Sequence, residues 1–454
     1  MTRVITVAQG VFAPGHLGEL TQIVPFEMVD AVLAETGKTQ QRLRQLPSRV
    51  VVYLLLAAGL FEDIGYLGVW RKLVAGLDGL AVASPSATGL WHARLRVSVA
   101  PMKALFDLLR GPASTARTTQ ARWRGLLVCA IDGTTLDVPD CPPNTGHLGR
   151  HSCQHGSAGY PQIRLVALVA CGTRAIIDAV FGPRSQGETT QATRLLRSLH
   201  SGMIVLLDRG FDAGGFLAAV AATDAHFLVR IKANRNLPVL RRHRDGSYSS
   251  VINGVKVRII ECEITISTTA GAQTGIYRLA TTLLIPQRFP AFELVTLYHQ
   301  RWEIESAYFA IKSTMLHRRV LRSHHPASIA QEIYALLTTY QVLRIAMTDA
   351  TDSVGGTDPD RASFTIALQT ARDLLIKAQA VIAETVIDLI GAIGRQILTN
   401  LMPARRLRVS PRAVKRPLSR YAYKSLRMDR HTYKATLSID ILAGQPALTT
   451  PPDP

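Results

Sequence analysis

Residues 297–312 read LYHQRWEIESAYFAIK, and the rest of the chain is best read outward from them. Tyr298 is followed by Arg301, Glu305 and Lys312 at offsets of 3, 7 and 14 residues. At roughly 100° per residue, those offsets gather the four side chains within an arc of about 60° on one helix face. A face built only for burial would not select an aromatic, two cations and a carboxylate. A solvated face would carry them too, because Arg and Glu pair readily at helical spacing. The choice turns on whether other carboxylates meet Glu305.

Two aspartates qualify. Asp132 follows the apolar run 126–131 within CAIDGTTLD, and Asp208 follows 203–207 within IVLLDRGFD. Each is placed at the carboxyl end of a predicted buried strand, where open α/β sheets hold their ligand sites. Taken singly, either reads equally well as a turn or helix-cap residue, and Asp-Gly is itself a turn signal. Taken with Glu305, they form a carboxylate set able to hold divalent metal. Phosphodiester hydrolysis or transfer needs an activated oxygen nucleophile and relief of charge on the leaving oxygen. Two metal ions about 3.5–4 Å apart serve both ends of such a displacement. Oxygen ligands without His or Cys favour Mg²⁺ or Mn²⁺ over zinc.

The surrounding sequence supplies a scaffold. Residues 126–131, 163–171, 175–181, 203–207 and 227–231 are short runs rich in Val, Ile, Leu and Ala, as buried strands are. Helical patterns at 188–199 and 213–222 alternate with them, which predicts a mixed α/β domain. Strands at 255–266 and 275–284, with turn residues at 244–247 and 270–271, predict a β-rich insertion over about 234–288. Residues 20–36 and 43–61 are apolar-periodic and read as helices, with Arg42, Arg44 and Arg49 around the start of the second. Those arginines suit a DNA-binding face or an ordinary solvated one. Helix is expected again from about 292 to 314, then at 327–348, 361–378 and 380–398.

Composition narrows the partner. Lys and Arg outnumber Asp and Glu by 52 to 33 in 454 residues, a formal charge of +19, which attracts a polyanion such as nucleic acid. With 47% hydrophobic and 19% charged residues, the chain can bury a core, and its length calls for more than one domain. The apolar stretches 50–61 and 378–398 are respectively too short and too interrupted by charge to span a bilayer, so no membrane partner is expected. Residues 1–15 lack the apolar core of a signal peptide, and five scattered cysteines fit reduced thiols, so a cytoplasmic protein is expected. Cys141, His151, Cys153 and His155 lack zinc-ligand spacing and read as incidental loop residues. Residues 405–430 hold ten basic residues against Asp429. This run suits either a phosphate-tracking tail or a solvated, partly disordered one. The Pro-rich end, residues 445–454, is expected to be disordered.

These residues resemble those of DDE transposases of the bacterial insertion element 4 family. That family carries Asp, Asp and Glu, with the Glu inside a Y-x2-R-x3-E-x6-K signature that Tyr298, Arg301, Glu305 and Lys312 match without a gap. Asp132 in Asp-Gly-Thr matches the first acid, and Asp208 in Asp-Arg-Gly-Phe the second. The Gly187-Glu188 pair also looks like the family pattern, while Phe309 stands where some relatives carry a basic residue. The resemblance spans about residues 15–350. It implies a ribonuclease H-like mixed sheet with a β-rich insertion (116–350), a helical N-terminal domain binding DNA ends (1–115), and a helical C-terminal region with a basic tail (351–454).

The resemblance further implies that Asp132, Asp208 and Glu305 bind two Mg²⁺ or Mn²⁺ ions. Arg301 and Lys312 would hold phosphates of the transposon end. Tyr298 would contact DNA near the cleavage point, and Trp302 could stack on a base. The expected activity is cut-and-paste transposition: cleavage at inverted-repeat ends of double-stranded DNA and strand transfer into target DNA, by a homodimer in a synaptic complex at the nucleoid. Two other readings remain, a ribonuclease H-like nuclease without strand transfer and a catalytically inactive DNA-binding descendant.

Overall fold

A computed structural model describes residues 4–6, 11–377 apart from 43, 78, 116, 154 and 155, and then 391–403, 408–409 and 433–442. Five strands build the centre: β1 (Leu126–Asp137), β2 (Gln162–Ala170), β3 (Ile176–Pro183), β4 (Met203–Leu207) and β5 (His226–Arg230). They lie in the order β3-β2-β1-β4-β5. β1, β2 and β3 pair antiparallel as a meander, whereas β4 and β5 run parallel to β1. This is a ribonuclease H-like mixed sheet. All five residues of β4 are buried, as a central parallel strand covered on both faces requires.

The predicted insertion extends this sheet. β6 (Arg241–Arg242), β7 (Tyr248–Ile252), β8 (Val255–Thr268) and β9 (Gly271–Thr281) follow in the chain, and β9 pairs antiparallel with β5. A strand the sequence reading missed, β10 (Tyr433–Ile441), pairs along β8 from Cys262↔Ile441 to Thr268↔Ala435. Its alternating pattern, YKATLSIDI, was legible, but the basic run before it drew attention to charge. Of the expected basic tail at 405–430, only Arg408 and Val409 fall within the described residues, and the end at 445–454 lies wholly outside them.

The first helices are α1 (Phe26–Glu35), α2 (Ser48–Leu60), α3 (Tyr66–Val74), α4 (Ala87–Val97) and α5 (Ala100–Leu109). α2 is apolar almost all round, and every residue from Val50 to Leu60 is buried, the mark of a central helix. Next come α6 (Glu188–Ala192), α7 (Gly214–Ala221), α8 (Ala291–Tyr298), α9 (Glu303–Phe309), α10 (Pro326–Ser353), α11 (Phe364–Ile376) and α12 (Gly391–Thr399). The helix expected over 380–398 is described only from Gly391 onward.

The long helix α10 ties these parts together. It crosses α2 so closely that a Cβ on Gly59 would lie 2.6 Å from Thr339 Oγ1, and that hydroxyl donates to Leu56 O at 2.9 Å. Tyr340 Oη donates to Arg174 O beside the β2–β3 turn (2.6 Å), and Gln341 Oε1 accepts from Ile176 N (2.8 Å). One hydrophobic core therefore runs from α1 and α2 through α10 to a face of the sheet, joined by Val128, Leu165 and Ile204. Arg322 locks the segment just before α10. It pairs with buried Glu62 (2.9 Å) and Glu332 (3.2 Å) and donates to the carbonyls of Ala58, Phe61 and Ile64.

Candidate active site

The first two acids are set by strand register. β1 and β4 pair in parallel up to Ile131↔Leu207, and the next residue on each strand is an aspartate, Asp132 and Asp208. Both carboxylates thus leave the sheet where two adjacent parallel strands part. One detail departs from the sequence reading. Asp132 does not end its strand, because β1 keeps its antiparallel ladder with β2 to Asp137, and Asp132 itself pairs with Ala167. Asp-Gly makes no turn here, since the β2 partner holds the backbone extended. Asp208 also caps the short 3₁₀ turn Arg209–Phe211, accepting from Gly210 N at 2.7 Å.

The third acid arrives on a helical segment running from Ala291 to Met315. It is less regular than a uniform helix: α8 passes into a 3₁₀ turn at His299–Trp302, then α9, then a π-helical stretch at Ala310–Met315. A 3₁₀ turn winds tighter than an α-helix and a π-turn wider, so the 60° arc drawn for constant pitch is redistributed. Tyr298 is buried and points at the sheet, its hydroxyl donating to Leu207 O (3.0 Å), the residue before Asp208. Arg301 is buried between two acids, with Nη1 3.7 Å from Asp132 Oδ2 and Nη2 3.8 Å from Glu305 Oε1. Its Nε has no hydrogen-bond partner among the described residues, and its guanidinium lies 4.7 Å from the Trp302 ring centroid. Lys312 Nζ donates to Thr134 Oγ1 at 3.0 Å, two residues past Asp132. The structure therefore brings Arg301, Glu305 and Lys312 to the aspartates and turns Tyr298 against the backbone beneath them.

Two further residues pack at the site without having been singled out in the sequence. Tyr308 lies inside the quoted stretch, ten residues beyond Tyr298. Its hydroxyl donates to Asp132 O (2.6 Å) and accepts from Ala167 N (3.1 Å). Tyr298 and Tyr308 thus bracket Glu305 and fasten its helix to the backbone of both aspartate strands. Burial raises both phenols above their usual range, so each remains a neutral donor. The second is Glu188, at the start of α6, whose carboxylate packs on Gly133. Only half of its signal, the Gly187-Glu188 pair, was visible along the chain.

Electrostatics follow from this crowding. Burial pushes the Asp132 carboxyl up to about 7; the Gly133 N–H and Arg301 oppose that shift, while Asp208 and Glu188 reinforce it. Burial also raises Glu188, which Arg164 counters and Asp208 augments. As the side chains stand, no three His, Cys, Asp or Glu residues among the described ones converge closely enough to hold a metal ion. Cys141 Sγ donates to His324 O (3.2 Å), and His155 lies outside the described residues. Trp302 and Phe309, 42% and 60% exposed, flank the site helix as accessible aromatic surface.

Adjacent strands whose parallel pairing stops just before two acids, with a third acid delivered by a helix, define a ribonuclease H-like enzyme of polynucleotide chemistry. Comparison with known proteins makes the assignment specific. Residues 14–107 match the model described as "Insertion element 4 transposase N-terminal", and residues 123–342 match "Transposase DDE domain". The chain is 26% identical over 399 residues to the transposase InsG for insertion sequence element IS4 of Escherichia coli K12, covering 86% of this chain and 90% of that protein. It is 30% identical over 190 residues to the putative transposase InsZ of the same organism, covering 41% of this chain and 62% of that one. The cryo-EM structure of a piggyBac transposase synaptic complex with hairpin DNA overlaps 85% of this chain and 84% of its own, at a TM-score of 0.42 and 10% identity. The chain belongs to the insertion element 4 family of DDE transposases, enzymes that cleave DNA and transfer its strands.

Proposed function

We propose that this transposase cuts DNA at the terminal inverted repeats of its element and joins the freed ends to target DNA, with Asp132, Asp208 and Glu305 as the catalytic acids. The observation that carries this reading is the register of β1 and β4, which sets Asp132 and Asp208 one residue beyond the same strand pair, with Arg301 linking Asp132 to Glu305. Transposases of this class generally depend on divalent metal. The donors here are all carboxylate oxygens in a partly buried setting, and they fit a hard cation such as Mg²⁺ or Mn²⁺. Two such ions, when bound, would activate the attacking oxygen and relieve charge on the leaving one.

The chain's own residues have separable tasks. Arg301 is poised to exchange its long contacts to Asp132 and Glu305 for a phosphate of the transposon end, since a guanidinium binds phosphate in bidentate fashion. Lys312, held at Thr134, supplies a second cation on the same side. Tyr298 fixes the strand beneath Asp208, and contact with DNA near the scission point would be a second role for it. In the first step water attacks phosphorus and the 3′-oxygen leaves. In the second, the freed 3′-hydroxyl attacks a target phosphodiester and displaces the 3′-oxygen of the target strand, so that one P–O bond forms as another breaks.

We assign residues 1–115 to DNA-end recognition, 116–350 to catalysis and 351–454 to a helical region with a basic tail. A homodimer would pair two ends in a synaptic complex on cytoplasmic, nucleoid-associated DNA. No helix among the described residues is long and apolar enough to cross a membrane. Labelled linear DNA carrying the flanking inverted repeats, incubated with Mg²⁺, tests the reading. Wild type should cut at the repeat boundary, and Glu305→Ala should bind without cutting. If both proteins bind and neither cuts with Mg²⁺ or Mn²⁺, a catalytically inactive DNA-binding descendant becomes the better account.

A further inference from the structure

Helix α4 is anchored on one side and uncovered on the other. Leu90, Ala93, Arg94 and Val97, three and four residues apart, form its buried stripe. Arg94 lies over the Tyr66 ring, 3.7 Å from the centroid, and donates to Ser323 Oγ at 3.1 Å. Near the end of the helix, Gln331 Nε2 donates to the carbonyls of Arg94 (3.1 Å) and Ser98 (2.7 Å). Ser86 caps the start, accepting from Gly89 N at 3.0 Å. These contacts fix both the position of α4 and the face it turns outward.

That outward face consists of Ala87, Thr88, Trp91, His92, Leu95 and Arg96. It carries no acid, and Trp91 and Leu95, one turn apart, are 49% and 44% exposed. Two large apolar side chains side by side are a contact surface rather than a face that meets only water. The last turn is unusual in charge. Arg96 donates to Leu46 O (3.3 Å), which brings it beside Arg44 in the segment before α2. Burial first, and the Arg44 charge second, lower the Arg96 guanidinium. Arg49 takes the neighbouring acid, Asp30, whereas no salt bridge among the described residues involves Arg42, Arg44 or Arg96. Cations gathered without an acid repel one another, and a polyanion relieves that repulsion. The sequence keeps acids away as well: residues 64–106 hold one, Asp78, against five Lys or Arg.

We propose that α4 reads the transposon end: it lies in the major groove of the inverted-repeat duplex, with Arg44 and Arg96 on the phosphate backbone and Thr88, Trp91, His92 and Leu95 against base edges. This deepens, and rests on, the assignment of residues 1–115 to DNA-end recognition. Its 11 residues make a rod about 16 Å long, and the major groove, about 12 Å wide, admits an α-helix. Thr and His offer hydrogen-bonding groups to base edges, Trp and Leu offer apolar surface to thymine methyls, and the guanidiniums suit phosphate.

Fluorescence anisotropy of the full-length protein in EDTA, on labelled duplexes carrying the terminal repeat or its scrambled sequence, tests this placement. Trp91→Ala combined with His92→Ala should lower the preference for the repeat by about 10-fold or more, with affinity for the scrambled duplex unchanged. Arg44→Ala combined with Arg96→Ala should weaken binding to both duplexes alike. It should also flatten the plot of log Kd against log salt by about two units. Thermal midpoints should stay at the wild-type value, since the replaced side chains are exposed. Thr88→Ala, at the other end of the face, supplies an independent reading should a double variant fold poorly. Undiminished preference in the Trp91 and His92 variant overturns the role of α4 and leaves DNA-end recognition by residues 1–115 standing. The same result with an altered oligomeric state in sedimentation makes the face a protein contact and overturns the proposal too. Equal binding of both duplexes by wild type overturns the DNA-end assignment itself.

Discussion

Two arginines in this protein each stand between two carboxylates and beside an aromatic ring, and they differ in how closely their contacts are made. Arg322 lies 2.9 Å from Glu62 and 3.2 Å from Glu332, and it donates to three carbonyls at the end of α2 and beyond. Its guanidinium also lies over the Tyr66 ring, 4.7 Å from the centroid. Arg301 lies 3.7 and 3.8 Å from its two acids, beyond good hydrogen-bond distance, and its Nε finds no partner among the described residues. The first arrangement is tight: Arg322 meets both acids and three carbonyls at close range, and only Glu62 Oε1 is left without a hydrogen-bond partner among the described residues. The second is looser: Arg301 meets its two acids only at 3.7 and 3.8 Å, and its Nε has no hydrogen-bond partner among the described residues. Tight ion clusters hold folds together, whereas a looser one of this kind retains binding free energy for a ligand.

The contrast can be broken most forcefully at the looser site. Glu305→Gln should reduce strand cleavage on the order of 10⁴-fold, as removal of one member of a catalytic set does. Its urea midpoint should stay at the wild-type value. A parallel loss of stability would show that Glu305 belongs to the fold. The converse experiment is Arg322→Met, which strands Glu62 and Glu332 in the core. Burial already pushes the Glu62 carboxyl up to about 8 against the pull of Arg322. Denaturant unfolding should show a loss of roughly 3–5 kcal/mol, and Arg301→Met a clearly smaller one. Equal losses would erase the distinction.

A third test sharpens the comparison through pH. The folded Asp132 carboxyl titrates near 7, against an ordinary value of 3.8. Between those values the folded protein holds a proton that the unfolded chain has released, so this contribution to stability is full below pH 4 and fades as pH rises through 7. In metal-free buffer, wild type should therefore lose stability relative to Asp132→Asn from pH 5 to pH 8. The change should be on the order of 1–2 kcal/mol once partial exposure is allowed for. A flat difference between the two proteins over that range would contradict the burial argument. The smallest effect is expected at Tyr308→Phe, which removes a hydroxyl bonded to Asp132 O and Ala167 N. It should cost about 1 kcal/mol of stability and lower the cleavage rate with DNA affinity unchanged. Weaker DNA binding instead would make Tyr308 part of the interface.

Legibility in the sequence followed the range of the interaction. The strands at 126–131, 163–171 and 203–207 were plain because buried parallel and central strands leave continuous apolar runs. The six residues by which β1 continues past Ile131 were not, because Asp-Gly-Thr-Thr stays extended only through its ladder with β2. β10 is different: its alternating pattern is local and legible, but its pairing with β8, far earlier in the chain, is not. The spacing Tyr298-Arg301-Glu305-Lys312 marked the site helix, yet equal offsets do not say which side chain faces inward once a 3₁₀ turn and a π-turn interrupt the pitch.

By itself, then, the sequence determined the mixed α/β class, a charge that favours a polyanionic partner, and the candidacy of Asp132, Asp208 and Glu305, since these depend on residue type, local periodicity and short-range spacing. Only the tertiary structure decided that Asp132 and Asp208 leave the same strand pair, that Tyr298 and Tyr308 fasten the Glu305 helix to both strands, and that Glu188 joins them over Gly133. Strand register, helix pitch and the approach of a distant carboxylate to a backbone without a Cβ are long-range packing outcomes, and no local stretch of sequence encodes them.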